Sequence, residues 1–149
     1  MKNIILDSGV LSSLARHPRT PDLLAVRQRY RDSEKAGQRG MVLEIADYEV
    51  RRELIRTKKV NSPQRLSSFI SGIEIPITSR ALKYATELWA NARNQRIATS
   101  SNETLDADVI LAAQVITSGE SMADIIVATT NVRHLARYIR ADNWQNIQP

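Results

Sequence analysis

An α/β fold, with a mainly parallel sheet covered by helices on both faces, is what this sequence predicts from three observations. Short apolar runs alternate with stretches of helical periodicity along the chain. The first run, from Asn3 to Asp7, is apolar almost without a break until its last residue, as a strand buried on both faces is. The composition is globular, with 149 residues, 42% of them hydrophobic, and no cysteine. A chain of that length is read as one domain over 1–149, with a core that needs no disulfide or metal staple. No internal repeat, low-complexity tract or dividing linker interrupts it.

Asp7-Ser8 offers N-cap chemistry to a first helix carrying Val10, Leu11 and Leu14, which Pro18 and Pro21 punctuate. A second helix is expected from about Asp22 to Lys35, closed by Gly37 and Gly40. Met41–Ile45 reads as the second strand. A helix over about Ala46 to Thr57 then turns Val50, Leu54 and Tyr48 inward and Arg51, Arg52 and Arg56 outward. After the Asn61-Ser62-Pro63 turn comes a short helix with Leu66, Phe69 and Ile70. Ile73–Ile77 is a third strand, and its Pro76 demotes it to an edge or a strand end.

A long helix is expected from about Ser79 to Ile97, with Leu82, Leu88 and Trp89 read as ordinary core. A polar loop, Thr99–Glu103, precedes a helix starting near Leu105 with Val109, Ala112, Ala113 and Ile116 on one stripe. Gly119 is placed to end it. Ile125–Thr129 is the fourth strand, helical sequence resumes over about Val132–Ile139, and Trp144–Ile147 is a candidate fifth strand.

Net charge is +5, with 21 basic and 16 acidic residues. An Arg-rich excess suits phosphate contacts and equally suits ordinary solubility. The absence of cysteine excludes thiolate metal sites and Cys nucleophiles. No run approaches a membrane span or the apolar region of a signal peptide, so the expectation is a soluble cytoplasmic protein.

Sites in open α/β sheets lie beyond the carboxyl ends of the strands. Asp7 ends the first strand there. Glu49 follows the second strand, Thr129-Thr130-Asn131 closes the fourth, and Asp106 and Asp108 stand near the start of the helix before it. Converging carboxylates repel one another unless a cation lies between them. Mg²⁺ and Mn²⁺ prefer such oxygen ligands, and they can activate water and neutralise a phosphoryl group. Each acid also has a structural reading. Asp7 and Asn131 can cap helices, and Glu49 can belong to a solvated face. Asp106 and Asp108 lie roughly 200° apart on a helix, so both cannot face one site from within it. Asp106 is the better N-cap, and Asp108 borders the apolar stripe.

Four segments carry a family resemblance. Ile5-Leu6-Asp7-Ser8-Gly9-Val10 is a hydrophobic run ending in Asp and a small hydroxyl residue. Tyr48-Glu49-Val50-Arg51-Arg52 places an aliphatic and basic residues after Glu. Asp108-Val109-Ile110-Leu111-Ala112-Ala113 sets Asp before an aliphatic-Ala-Ala, and Ile126-Val127-Ala128-Thr129-Thr130-Asn131 is a closing strand. In this order they resemble the PIN-domain family, in particular the toxins of bacterial VapBC toxin–antitoxin pairs. The resemblance covers nearly the whole chain. It implies a three-layer, Rossmann-like α/β/α sandwich with four to five strands, and a Mg²⁺- or Mn²⁺-dependent ribonuclease. Asp7, Glu49 and Asp108 would be the catalytic, metal-holding acids, with Asp106 a candidate fourth. Ser8, Thr129 and Asn131 would support them, and Arg51, Arg52 and Arg56 are candidate RNA contacts. RNA, an antitoxin protein and a second copy of the chain are the partners implied. Two departures stand out: Asn131 replaces a frequent Asp, and His134 lies where others often carry an acid. The segment from Arg27 to Gly40 is also long and basic for a minimal toxin.

Other classes fit less well. No Gly-x-Gly-x-x-Gly turn or Walker loop follows the first strand, and Gly9 stands where a haloacid dehalogenase type phosphatase has its second Asp. His17 and His134 lie beside Arg residues and read as surface. The rival that remains is a PIN-type scaffold that binds RNA or a partner protein without cutting.

Overall fold

The computed structural model of the chain describes residues 2–95 and 101–149. Along them run β1 (Asn3–Leu6), α1 (Ser8–Ala15), α2 (Pro21–Lys35), β2 (Arg39–Leu43), α3 (Glu44–Arg56), α4 (Ser62–Ile70), β3 (Glu74–Ile75), α5 (Ser79–Asn94), α6 (Asn102–Thr117), β4 (Ile125–Thr129), α7 (Val132–Leu135) and β5 (Ala141–Asn143). The five strands form one sheet in the order β3-β2-β1-β4-β5, parallel at every pairing.

The apolar runs of the sequence follow from this arrangement. Alternate side chains of a strand enter opposite faces. Ile4 and Leu6, with Val42, Ile126 and Ala128, join Val10, Leu11, Leu14, Val26, Val50, Leu54 and Leu66 in a core shared with α1 to α4. Ile5, with Met41, Leu43, Ile125 and Val127, joins Leu111, Ala112 and Val115 of α6 on the other face. Both faces are buried, so no polar residue interrupts β1 between Asn3 and Asp7. On that second side α5 packs on α6 through Ala81, Ala85 and Ala92 against Leu105, Val109 and Ala113, small residues that let two helices approach. The expected α/β/α layering, covered on both faces, is the one observed.

Several expectations need correction. The second strand starts and ends two residues earlier than read, because Glu44 and Ile45 already belong to α3. That helix has no side-chain cap of its own. Instead, the amide of Ile45 donates to Oε1 of buried Gln114 (3.3 Å), whose Nε2 donates to the Ile75 carbonyl (3.1 Å). The Glu44 carboxylate accepts from the Ile77 amide. These are tertiary partners that a local pattern does not display. Pro21 does not close the first helix but opens the second, with Thr20 Oγ1 accepting from the Leu23 amide. The fifth strand is Ala141–Asn143, not Trp144–Ile147; Trp144 and Ile147 instead pack into the core beneath α1 and α2.

Tyr48 is exposed rather than inward, and Leu82 is 46% exposed while the alanines beside it carry the α5 contact. Ser101, not Asp106, caps α6. The end of α5 expected at Ile97 and the loop residues Thr99 and Ser100 lie outside the described residues. Gly119, at φ +82°, follows the last turn of α6 as expected, in a conformation that costs glycine little. Among the described residues no helix is long and apolar enough to cross a membrane.

Candidate active site

Asp7 sits where β1 becomes α1. Its backbone is still extended, and its amide donates to the Ala128 carbonyl of β4 (3.1 Å). Both carboxylate oxygens are engaged. Oδ1 accepts from the Ser8 amide (2.7 Å), and Oδ2 accepts from the Thr129 hydroxyl (2.6 Å). The capping and site readings of Asp7 are therefore compatible, since one side chain serves both places. Ser8 holds the carboxylate through its amide.

Thr129 is fully buried at the carboxyl end of β4. Its Oγ1 donates to Asp7 and accepts from the Asn131 amide (2.9 Å). This chain runs from the backbone of Asn131 through Thr129 to Asp7, and it fixes the carboxylate against a strand adjacent to its own. Asn131 contributes its backbone; its side chain is exposed and makes no capping bond to α7.

Glu49 stands in the second turn of α3 and Asp108 in the second turn of α6, both half-buried. Burial pushes the Glu49 carboxyl up to about 7; the charge of Asp7 adds to the push, Arg52 opposes it and Asp108 adds again. Burial also raises Asp108, opposed by His134 and Arg137 and reinforced by Asp7. Asp7 is thus close enough to shape the field at both Glu49 and Asp108, although the three come from separate elements. Arg52 is drawn partly to the exposed Tyr48 ring, over which its guanidinium lies at 5.2 Å.

His134 joins this group. Its Nδ1 stands 3.4 Å from Asp108 Oδ2. Its place beside Arg133 in the sequence suggests a surface residue, whereas in the fold it is half-buried against Asp108. The signal that could have found it is its position in the short helix following the Thr129–Asn131 corner, where the family motif often carries an acid.

Asp106 is not brought to the cluster. Two residues before Asp108 inside α6, it turns to the other side of the helix. There it lines a cavity of about 360 Å³ with Leu82, Trp89 and Val109. Of the three candidate arginines, Arg51 is committed within the fold: it binds Asp47 with two nitrogens (2.8 and 3.2 Å) and Ser67 Oγ (3.0 Å), joining α3 to α4. Arg56 pairs with Glu53 at 2.9 Å on an exposed turn. Arg52 alone borders the acids.

The donors of the cluster are hard carboxylate oxygens with an imidazole at one edge, a set that suits Mg²⁺ or Mn²⁺. Among the described residues no three acids and histidines close a ligand set on one ion by themselves. A cation here would need oxygens from water or a bound phosphate, which Mg²⁺ ordinarily takes.

No family model matches the chain, and no curated protein matches it significantly in sequence. Solved structures do match in fold. A chain of VapBC2 from Rickettsia felis, bound to a DNA fragment from its promoter, superposes with a TM-score of 0.68 at 16% identity, covering 95% of this chain and 98% of that one. A chain of DNA-bound VapBC from Salmonella typhimurium gives 0.64 at 18% identity, covering 97% and 99%. One of FitAcB from Neisseria gonorrhoeae gives 0.65 at 16%, again covering 97% and 99%. The fold is shared over nearly the full length of both partners in each comparison. It is the PIN-type α/β fold that the four sequence motifs resemble.

Proposed function

We propose that a chain with this fold is a metal-dependent endoribonuclease that hydrolyses RNA phosphodiester bonds, and that it acts as the toxin of a toxin–antitoxin pair. The observation that carries the reading is the gathering of Asp7, Glu49 and Asp108, from three separate elements, at the carboxyl edge of the sheet. The charge of Asp7 adds to the burial that raises the proton affinity of Glu49 and of Asp108, and Asp108 adds at Glu49; carboxylates gathered in this way are destabilising unless a cation or its equivalent completes them. Asp7, Glu49 and Asp108 would hold Mg²⁺ or Mn²⁺ together with oxygens from water or a bound phosphate. When bound, such an ion supplies charge neutralisation at a phosphodiester and activation of a water. The chain's own part is positional: Thr129 and the Ser8 amide hold Asp7 in one orientation, and His134 borders Asp108. An antitoxin partner is supported by the VapBC complexes among the structures of like fold.

The test is cleavage of single-stranded RNA by the purified chain with Mn²⁺, with EDTA, and by Asp7→Asn. Cleavage that needs Mn²⁺ and is lost in Asp7→Asn supports the proposal; cleavage indifferent to both ends it. One observation favours a second reading, a scaffold that binds without cutting. His134 occupies an edge of Asp108 that a cation would also use. On that reading Mn²⁺ leaves the melting temperature unchanged, and His134→Asp creates the metal response.

A further inference from the structure

Beside Glu49 opens a groove of about 300 Å³, built from two helices that each turn a polar stripe toward it. On α1 the stripe is Ser8, Ser12 and Arg16, four residues apart, while Val10, Leu11, Leu14 and Ala15 face the core. On α3 it is Glu49, Arg52, Glu53 and Thr57, continued by Lys59, while Val50 and Leu54 support it from below. From Glu49 to Thr57 the helical rise spans roughly 12 Å. The groove therefore begins at the acidic cluster and leads away from it.

Its charge changes along that path. Glu53 is already neutralised by Arg56. Arg16 and Lys59, at the far end, take part in no salt bridge among the described residues. Their backbones are pinned. The carbonyl of Arg16 accepts from Arg27 Nη2 of α2 at 2.7 Å. Lys59 follows Lys58, which is left-handed at φ 52°; the Lys58 and Lys59 amides donate back to Ile55 and Leu54 (3.1 and 3.0 Å), a Schellman closure of α3. Schellman closures commonly set an apolar side chain at the Lys59 position; here it is a cation lining the groove.

We infer that this groove receives the single-stranded RNA flanking the bond to be cut, with Arg16 and Lys59 holding phosphates of its backbone and Arg52 standing nearest the acids. The inference rests on the ribonuclease reading and adds the path of the substrate. It replaces two of the three arginines expected from sequence, since Arg51 and Arg56 are committed to Asp47 and Glu53.

The experiment measures binding of a labelled single-stranded RNA of about a dozen nucleotides, by anisotropy in EDTA across a salt series, together with KM and kcat for its cleavage with Mn²⁺. Arg16→Ala and Lys59→Ala are each expected to weaken binding about fivefold at low salt and to lower the slope of log K against log salt by about 0.7. KM rises and kcat holds, because the scissile bond lies elsewhere. Arg16→Lys and Lys59→Arg keep the slope, which separates charge from shape. A double alanine variant that still cuts with unchanged KM and unchanged slope overturns the path while leaving the nuclease reading intact. A parent chain that neither binds nor cuts RNA overturns that reading, and the path with it. If poly-glutamate binds more tightly than RNA and is the ligand lost in both variants, the groove serves an acidic protein segment and the RNA path is wrong.

Discussion

Replacing Glu49 by glutamine removes the one charge whose ionisation the fold most clearly opposes. The Glu49 carboxyl is held at about 7 in the folded chain against an ordinary value of 4.5, by burial first and then by Asp7 and Asp108. Between those two values the folded state keeps a proton that the unfolded state has lost. Stability is therefore fullest below about 4.5, declines as pH rises towards 7, and levels off above it. A tenfold change in proton affinity corresponds to about 1.4 kcal/mol. Glu49 keeps part of its surface in water, and screening reduces the cost to about 1–2 kcal/mol. Glu49→Gln, which cannot ionise, should then melt about 3–6 °C above the parent at pH 8 in EDTA, for a chain of this size. Near pH 4.5 the two should coincide. Calorimetry or circular dichroism across that range reads the difference directly. Saturating Mn²⁺ at pH 8 should raise the parent and not the variant, because the cation relieves the same repulsion. A variant that is less stable at pH 8, or an offset that does not change with pH, would refute the electrostatic reasoning.

Thr129→Val removes the hydroxyl between Asp7 and the Asn131 amide; leaving Asp7 Oδ2 and that amide without this partner should cost about 1–3 kcal/mol and lower cleavage about tenfold, read by denaturant unfolding and initial rates. Arg51→Ala should cost about 1 kcal/mol through loss of the two-pronged contact with Asp47, without altering the salt dependence of RNA binding. Gly40→Ala should lose about 1–3 kcal/mol, because an added Cβ would stand 2.6 Å from the Tyr30 ring, which the neighbouring Phe69 and core hold in place. Lys58→Gly should gain about 0.5–1 kcal/mol by relieving the left-handed backbone at the end of α3, visible as a rise in melting temperature with cleavage unchanged.

Much of the fold was legible because its causes are local. The apolar runs at Asn3–Leu6 and Ile125–Thr129 are consequences of burial on both faces, and that burial leaves a mark on every residue of the strand. The helices were legible through the 3.6-residue spacing of Val10, Leu11 and Leu14 or of Val50 and Leu54. Boundaries failed where a distant partner decides them. The start of α3 depends on Gln114, and Ala141–Asn143 rather than Trp144–Ile147 pairs with β4 because the latter's large side chains serve the core. Tyr48 and Leu82 were misplaced because apolar spacing marks an amphipathic stripe without saying how far the neighbouring helix covers it.

Within the candidate site the division is similar. The order of strands and helices, read from sequence alone, determined that Asp7, Glu49 and Asp108 stand at one edge, because in a parallel sheet every strand delivers its carboxyl end to the same side. Only the tertiary structure decided which neighbours share that edge. Helical rotation turned Asp106 away, an interstrand hydrogen bond gave Thr129 to Asp7, and the corner after β4 brought His134 to Asp108. Those outcomes depend on a fraction of a helical turn and on ångström distances between elements remote in sequence, and no local pattern of residues carries either quantity.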